Sequence, residues 1–173
     1  TLAAFIDERV ATPLKMVDTS FFLPPGKEAR LAAVHVVGPD GTITRAEDGH
    51  AGQSLVPHSG QGAYVQGPRA AFSGGAGLLS TAQDYARFMQ MMANGGELDG
   101  VRLLSPTTVK LMTSNHVGTL YQNGALGWGL GFEVIEQVGR APRYGAAGEF
   151  SWSGAYSTTY WADPAEKLVV VYM

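Results

Sequence analysis

The run Gly148-Glu149-Phe150-Ser151-Trp152-Ser153-Gly154-Ala155-Tyr156-Ser157-Thr158-Thr159-Tyr160-Trp161-Ala162-Asp163-Pro164 decides how the rest of the chain is read. It opens with small and polar residues, where a backbone must come close to something. It continues into a β-branched and aromatic series and stops at an Asp-Pro turn. That is the pattern of a strand whose first residues line a site and whose remainder is buried sheet. Phe150, Trp152 and Tyr156 are bulky for an idle loop, and Gly154-Ala155 are small for a strand that only fills a core.

Working outward, Asp163–Lys167 reads as a turn and Leu168–Tyr172 as the return strand, central in character although it lies at the end of the chain. Upstream, Gly127–Val134 alternates glycine with large apolar residues, as a strand does when its glycine face is pressed by other backbone. Before it come two helices. Thr81 and Asp84 make a capping box for a helix with Tyr85, Phe88, Met89 and Met92 on one face, ended by Gly95-Gly96. Ser105-Pro106 starts the second, with Val109 and Met112 inward and Leu111 beside them. Leu98-Asp99-Gly100-Val101 between the helices is a tight hairpin turn.

Nearer the start, Thr1 caps a helix whose Leu2, Phe5, Ile6 and Val10 make one apolar face, and Thr12-Pro13 starts a short second turn. Leu31–Val37 and Thr42–Thr44 form a hairpin about Gly38-Pro39-Asp40-Gly41. Residues 46–71 are a long polar loop whose Leu55-Val56-Pro57 and Tyr64-Val65 could fold over a pocket or simply cross the surface. Helices run consecutively in the middle and strands gather at the end, which points to an α+β fold with an antiparallel sheet packed by helices.

Composition bounds the function. At 173 residues and 45% hydrophobic content the chain can bury a real core as a single domain. Its 12 Lys and Arg are scattered and the net charge is −3, which argues against nucleic acid as a partner. No apolar run reaches membrane-spanning length. With no cysteine, a disulfide, a thiol nucleophile and a thiolate metal site are excluded. His35, His50, His58 and His116 have no metal-ligand spacing, so no metal or other cofactor is expected. The glycines at 74, 75 and 77 precede a helix without the Lys-Ser/Thr of a phosphate loop, and close backbone packing is expected there instead.

Three templates for an activated serine can be tested on the letters. G-x-S-x-G and S-x-x-K occur nowhere, and the one Y-x-N, Tyr121-Gln122-Asn123, reads as a coincidence in a loop. No complete nucleophile-and-base unit is spelled in these residues.

"TLAAFIDERVATPLKMVDT", "FSGGAGLLSTAQDYARFMQMMANGG", "WGLGF" and "GEFSWSGAYSTTYWADPAEKLVVVYM" together resemble the serine β-lactamase-like hydrolases. Class C β-lactamases and, above all, family VIII carboxylesterases are the nearest groups. The resemblance implies a β-lactamase/transpeptidase-like fold, with both ends of the chain reading as cut and a final helix expected beyond Met173. In the family, the Ser and Lys of S-x-x-K and a catalytic Tyr lie upstream of the segment that resembles Thr1, so the nucleophile, its Lys and the Tyr are expected outside this chain. A third motif, Lys-Thr-Gly in β-lactamases and Trp-Gly-Gly in the esterases, falls on Trp152-Ser153-Gly154.

Carried over residue by residue, the N–H of Ala155 would donate to the oxyanion. Gly154 would let the acyl group approach, Ser153 would hydrogen-bond the substrate, and Trp152 and Tyr156 would bind it. Trp152 where β-lactamases carry Lys favours neutral esters over β-lactam acids, although an aromatic here is equally an ordinary half-buried strand residue. The implied activity is a serine carboxylesterase acting on short acyl esters, with a small-molecule ester and the N-terminal part of the same enzyme as partners. β-Lactam or D-alanyl peptide hydrolysis, acyl transfer, or a non-catalytic binding relative or fragment remain alternatives.

Overall fold

The computed structural model describes residues 1–47, 72–75 and 77–173, which divide into two compact units. Most of the long polar loop, with His50, His58 and both apolar handles, lies outside the described residues. No helix among the described residues is long and apolar enough to cross a membrane.

The smaller unit comprises Thr1–Glu8 and Asp18–Ser80. Its helix α1 (Leu2–Ile6) is capped as expected, the Thr1 hydroxyl accepting the Ala4 N–H at 3.2 Å. The expected apolar face is not buried, for Leu2 and Phe5 are exposed. The helix widens into a π turn over Asp7–Ala11. Strands β1 (His35–Val37) and β2 (Ile43–Arg45) form the expected hairpin, with Val36 opposite Thr44. It is shorter than the sequence suggests, for residues 31–34 lie outside the strand.

At the glycine-rich segment Gly74 and Gly75 have open space around them among the described residues. A Cβ on Gly74 would meet nothing within 4 Å, and one on Gly75 only the Ser73 Oγ at 3.9 Å.

The larger unit comprises Arg9–Val17 and Thr81–Met173. Helix α2 (Ala82–Ala93) starts at Thr81, whose Oγ1 accepts the Asp84 N–H at 3.1 Å. It ends at Gly95 and Gly96, where φ of +72° and +98° suits glycine. The hairpin β3 (Glu97–Leu98) and β4 (Val101–Arg102) turns through Asp99-Gly100. Helix α3 (Pro106–Met112) buries Val109, but its Leu111 faces solvent rather than the core.

Five antiparallel strands follow, adjacent in the order of the sequence: β5 (Leu126–Trp128), β6 (Glu133–Ile135), β7 (Phe150–Ser153), β8 (Thr159–Asp163) and β9 (Leu168–Tyr172). Val134, Phe150 and Ala162 on one face of this sheet join Met89, Met91 and Met92 of α2 in a single core with Leu14 and Met16.

Two expected strands are in fact hairpins. Gly127–Val134 turns back on itself because the Gly129 N–H reaches the Phe132 carbonyl at 2.7 Å and Gly131 takes φ +94°. The pressed glycines are there all the same: a Cβ on Gly129 would lie 2.0 Å from the Met112 oxygen. Gly148–Pro164 likewise divides into β7 and β8, since the Gly154 N–H donates to the Thr158 carbonyl at 2.8 Å and the Ser157 N–H to that of Gly154 at 3.0 Å. Among the described residues strand β9 pairs with β8.

Candidate functional site

Because a strand alternates its side chains, β7 sends Phe150 to the α2 face and Ser151 to the other. Burial changes along its length: Phe150 and Ser151 are buried, while Trp152 and Ser153 are exposed. The small residues that read as the head of a site are therefore at the far end of β7, on the turn into β8. Gly154 and Ala155 are exposed there and Tyr156 is half-buried. The Ala155 N–H and the Ser153 hydroxyl donate to none of the described residues. Trp152 to Tyr156 thus form one continuous tip with an outward peptide N–H, the arrangement an oxyanion donor needs.

The room left by Gly154 has an occupant within the hairpin. A Cβ at this position would sit 2.4 Å from the Thr158 Oγ1. The glycine thus lets this turn close.

Behind the tip stands a row of aromatic rings. Trp152 meets Trp128 edge to face, with centroids 4.4 Å apart and planes at 87°. Trp128 in turn meets Tyr121 at 5.7 Å and 73°. The backbone of Trp128 is held on both sides. Its carbonyl accepts the His116 N–H at 2.9 Å, and its N–H reaches the Asn115 Oδ1 at 3.4 Å. The Asn115 side chain lies where a Cβ of Gly127 would be, at 2.5 Å or less, so a glycine is required there.

The Ser151 face carries a polar network. The Arg143 guanidinium donates to the Glu149 carboxylate, to Glu133 Oε1 at 3.3 Å and to Ser151 Oγ at 2.7 Å. Tyr121 donates its hydroxyl to Glu133 Oε2 at 2.7 Å. That bond to a carboxylate pushes the Tyr121 phenol up, with burial and the Glu133 charge adding to it and Arg143 opposing. A phenol so placed is a proton donor and a poor base. Glu149 is 4% exposed, and its charge is matched by Arg143.

Trp128, Arg143, Glu133 and Ser151 were missed as site neighbours in the sequence. Trp128 looked like strand core because Gly127–Val134 reads as one strand. Arg143 sits in a loop without periodicity and becomes meaningful only when β6 and β7 pair. Among the described residues no cluster of His, Asp or Glu is arranged to hold a metal.

The family model described as Beta-lactamase matches residues 1–173. The chain belongs to the beta-lactamase family. Protein Rv1367c of Mycobacterium tuberculosis is 34% identical over 185 residues, covering 99% of this chain and 43% of that protein. Esterase EstB of Burkholderia gladioli is 28% identical over 180 residues, covering 98% of this chain and 43% of EstB. Among solved structures, EstCE1, "a hydrolase with promiscuous acyltransferase activity", superposes with a TM-score of 0.77 at 24% identity over 98% of this chain and 44% of its own. The fold of this beta-lactamase-family chain is accordingly β-lactamase/transpeptidase-like, α+β with an antiparallel sheet. The chain spans less than half the length of the relatives it matches.

Proposed function

We propose that this chain supplies the third motif and the oxyanion strand of a serine carboxylesterase acting on short, uncharged acyl esters. The observation that carries the reading is the exposed, unpaired Ala155 N–H on a tip that begins with Trp152. A serine, with its Lys and Tyr, would come from a part of the enzyme outside these residues. Its Oγ attacks the ester carbonyl carbon, the carbonyl oxygen gains negative charge, and the Ala155 N–H donates to it. The alcohol then leaves with a proton, and water hydrolyses the acyl-serine to acid and free serine. Trp152 forms an apolar wall for the neutral ester, in the position where a lysine would attract a substrate carboxylate. Ser153 is placed to hydrogen-bond the substrate, and Tyr156 stands half-buried beside it.

The test is on the full-length protein carrying this chain, comparing p-nitrophenyl butyrate with nitrocefin. The ester is expected to be the better substrate, and Ala155→Pro, which removes the donor, should lower kcat on the order of 100-fold with little change in KM. Faster turnover of nitrocefin, or an Ala155→Pro enzyme of undiminished kcat, sinks the reading. The 173 residues alone are expected to hydrolyse neither compound.

A further inference from the structure

Trp152 is not an isolated ring. It is 42% exposed, yet the ring behind it, Trp128, is half-buried and its backbone is bound by His116 and Asn115. The row ends at Tyr121, whose hydroxyl is fixed by Glu133. An exposed aromatic on a strand end ordinarily samples several rotamers, and stopping that motion on binding costs affinity. Here the second indole, perpendicular to the first at 4.4 Å, favours one setting of Trp152 before any ligand arrives.

The charge nearby points the same way. The guanidinium of the polar network is already committed to Glu149, Glu133 and Ser151, so that network offers no spare cation to a carboxylate. A pre-set indole surface beside an outward N–H recognises a flat, uncharged group attached to a carbonyl.

We propose that Trp128 is a specificity-determining residue: by fixing Trp152 it selects neutral esters that carry an aromatic ring over alkyl esters of similar size. This rests on the esterase reading for the reaction, but the recognition stands on the ring geometry alone. The ring could belong to the acyl or the alcohol part, and the two sources are separable.

In the full-length protein, hydrolysis of butyl acetate, benzyl acetate and butyl benzoate is followed by pH-stat titration. In parallel, binding of neutral N-butylbenzamide and N-benzylacetamide is measured by isothermal titration calorimetry. Trp128→Ala is expected to lower the aryl-over-alkyl ratio of kcat/KM about tenfold, and Trp128→Phe about threefold, in whichever ester carries the selected ring. Amide affinity should fall in parallel. If benzyl acetate is the sensitive ester the ring sits on the alcohol, and if butyl benzoate is, on the acyl group.

The Phe variant carries the test if the Ala variant does not fold. An unchanged ratio and unchanged amide binding in folded Trp128→Phe overturn the inference while leaving the esterase reading intact. Wild-type protein that binds neither amide overturns it as well. No hydrolysis of any ester, with amide binding that is weakened by Trp128→Phe, would refute the esterase reading and uphold the recognition by Trp128.

Discussion

The two halves of β7 are four residues of one strand with opposite relations to their surroundings. At Phe150 and Ser151 every group has found a partner within the chain: Phe150 packs on Phe132 with centroids 5.1 Å apart, and Ser151 is held by Arg143. At Trp152 and Ser153, and on the turn beyond, a ring, a hydroxyl and an N–H are left facing outward. Burial and exposure are therefore separated along a single strand by a step of two residues. The first half can be rigid because nothing has to enter it, and its rigidity aims the second.

The strongest way to break this division is to damage the buried half. Phe150 is 1% exposed, and Phe150→Ala should cost about 3–5 kcal/mol in urea unfolding by opening a cavity against α2. A cost as small as that of a surface substitution would mean that the two halves are alike.

The boundary itself can be titrated. Tyr160 lies opposite Trp152 in the ladder, and burial pushes both it and its neighbour Tyr85 of α2 up, Tyr85 chiefly by burial and then by the Tyr160 charge. A phenol whose pKa is raised by folding stabilises fully below its unfolded value and loses that contribution as pH climbs through the folded one. Thermal stability should hold to about pH 10 and fall above it, and Tyr85→Phe should flatten the fall. An equally steep alkaline loss in that variant would place the boundary elsewhere.

Arg143→Met leaves the buried Glu149 carboxylate unmatched. With the arginine side chain 33% and the glutamate 5% exposed, the cost should be about 2–3 kcal/mol, below that of a fully buried pair. Adding Glu149→Gln should recover much of it, and no recovery would break the assignment of the pair. The smallest effect is expected at the tip. Gly154→Ala forces its Cβ against the Thr158 hydroxyl, at about 1–2 kcal/mol, and Thr158→Ala in the same chain should relieve it. Absence of relief would show that the glycine answers to something other than the turn.

The helices were largely legible in the sequence, whereas β7 was legible only in part, since its first residues, read as the lining of a site, are buried. Helix α2 followed from its cap, its periodic apolar residues and its closing glycines, because these are local signals. Ala162 followed from its setting in the β-branched and aromatic part of the run, which reads as buried sheet. The positions of the two turns did not, because Gly154–Thr158 and Gly129–Phe132 are closed by backbone bonds that leave no mark beyond a glycine that fits a strand equally well. The tip residues were singled out only through the resemblance of their motif. Trp128, the ring beneath them, escaped because its setting depends on the pairing of β5 with β6 and on a contact with a residue 24 positions further on.

The order of the strands also bears on how the tip comes into being. In a meander where each strand pairs with the next, every ladder closes a short stretch of chain, and such contacts form early because little loop entropy opposes them. The hairpin β7–β8, closed by the bonds between Gly154 and Thr158, can set its register as soon as both strands have been synthesised. The outward N–H at its turn is then a product of local folding, in place before distant parts of the chain have to find it.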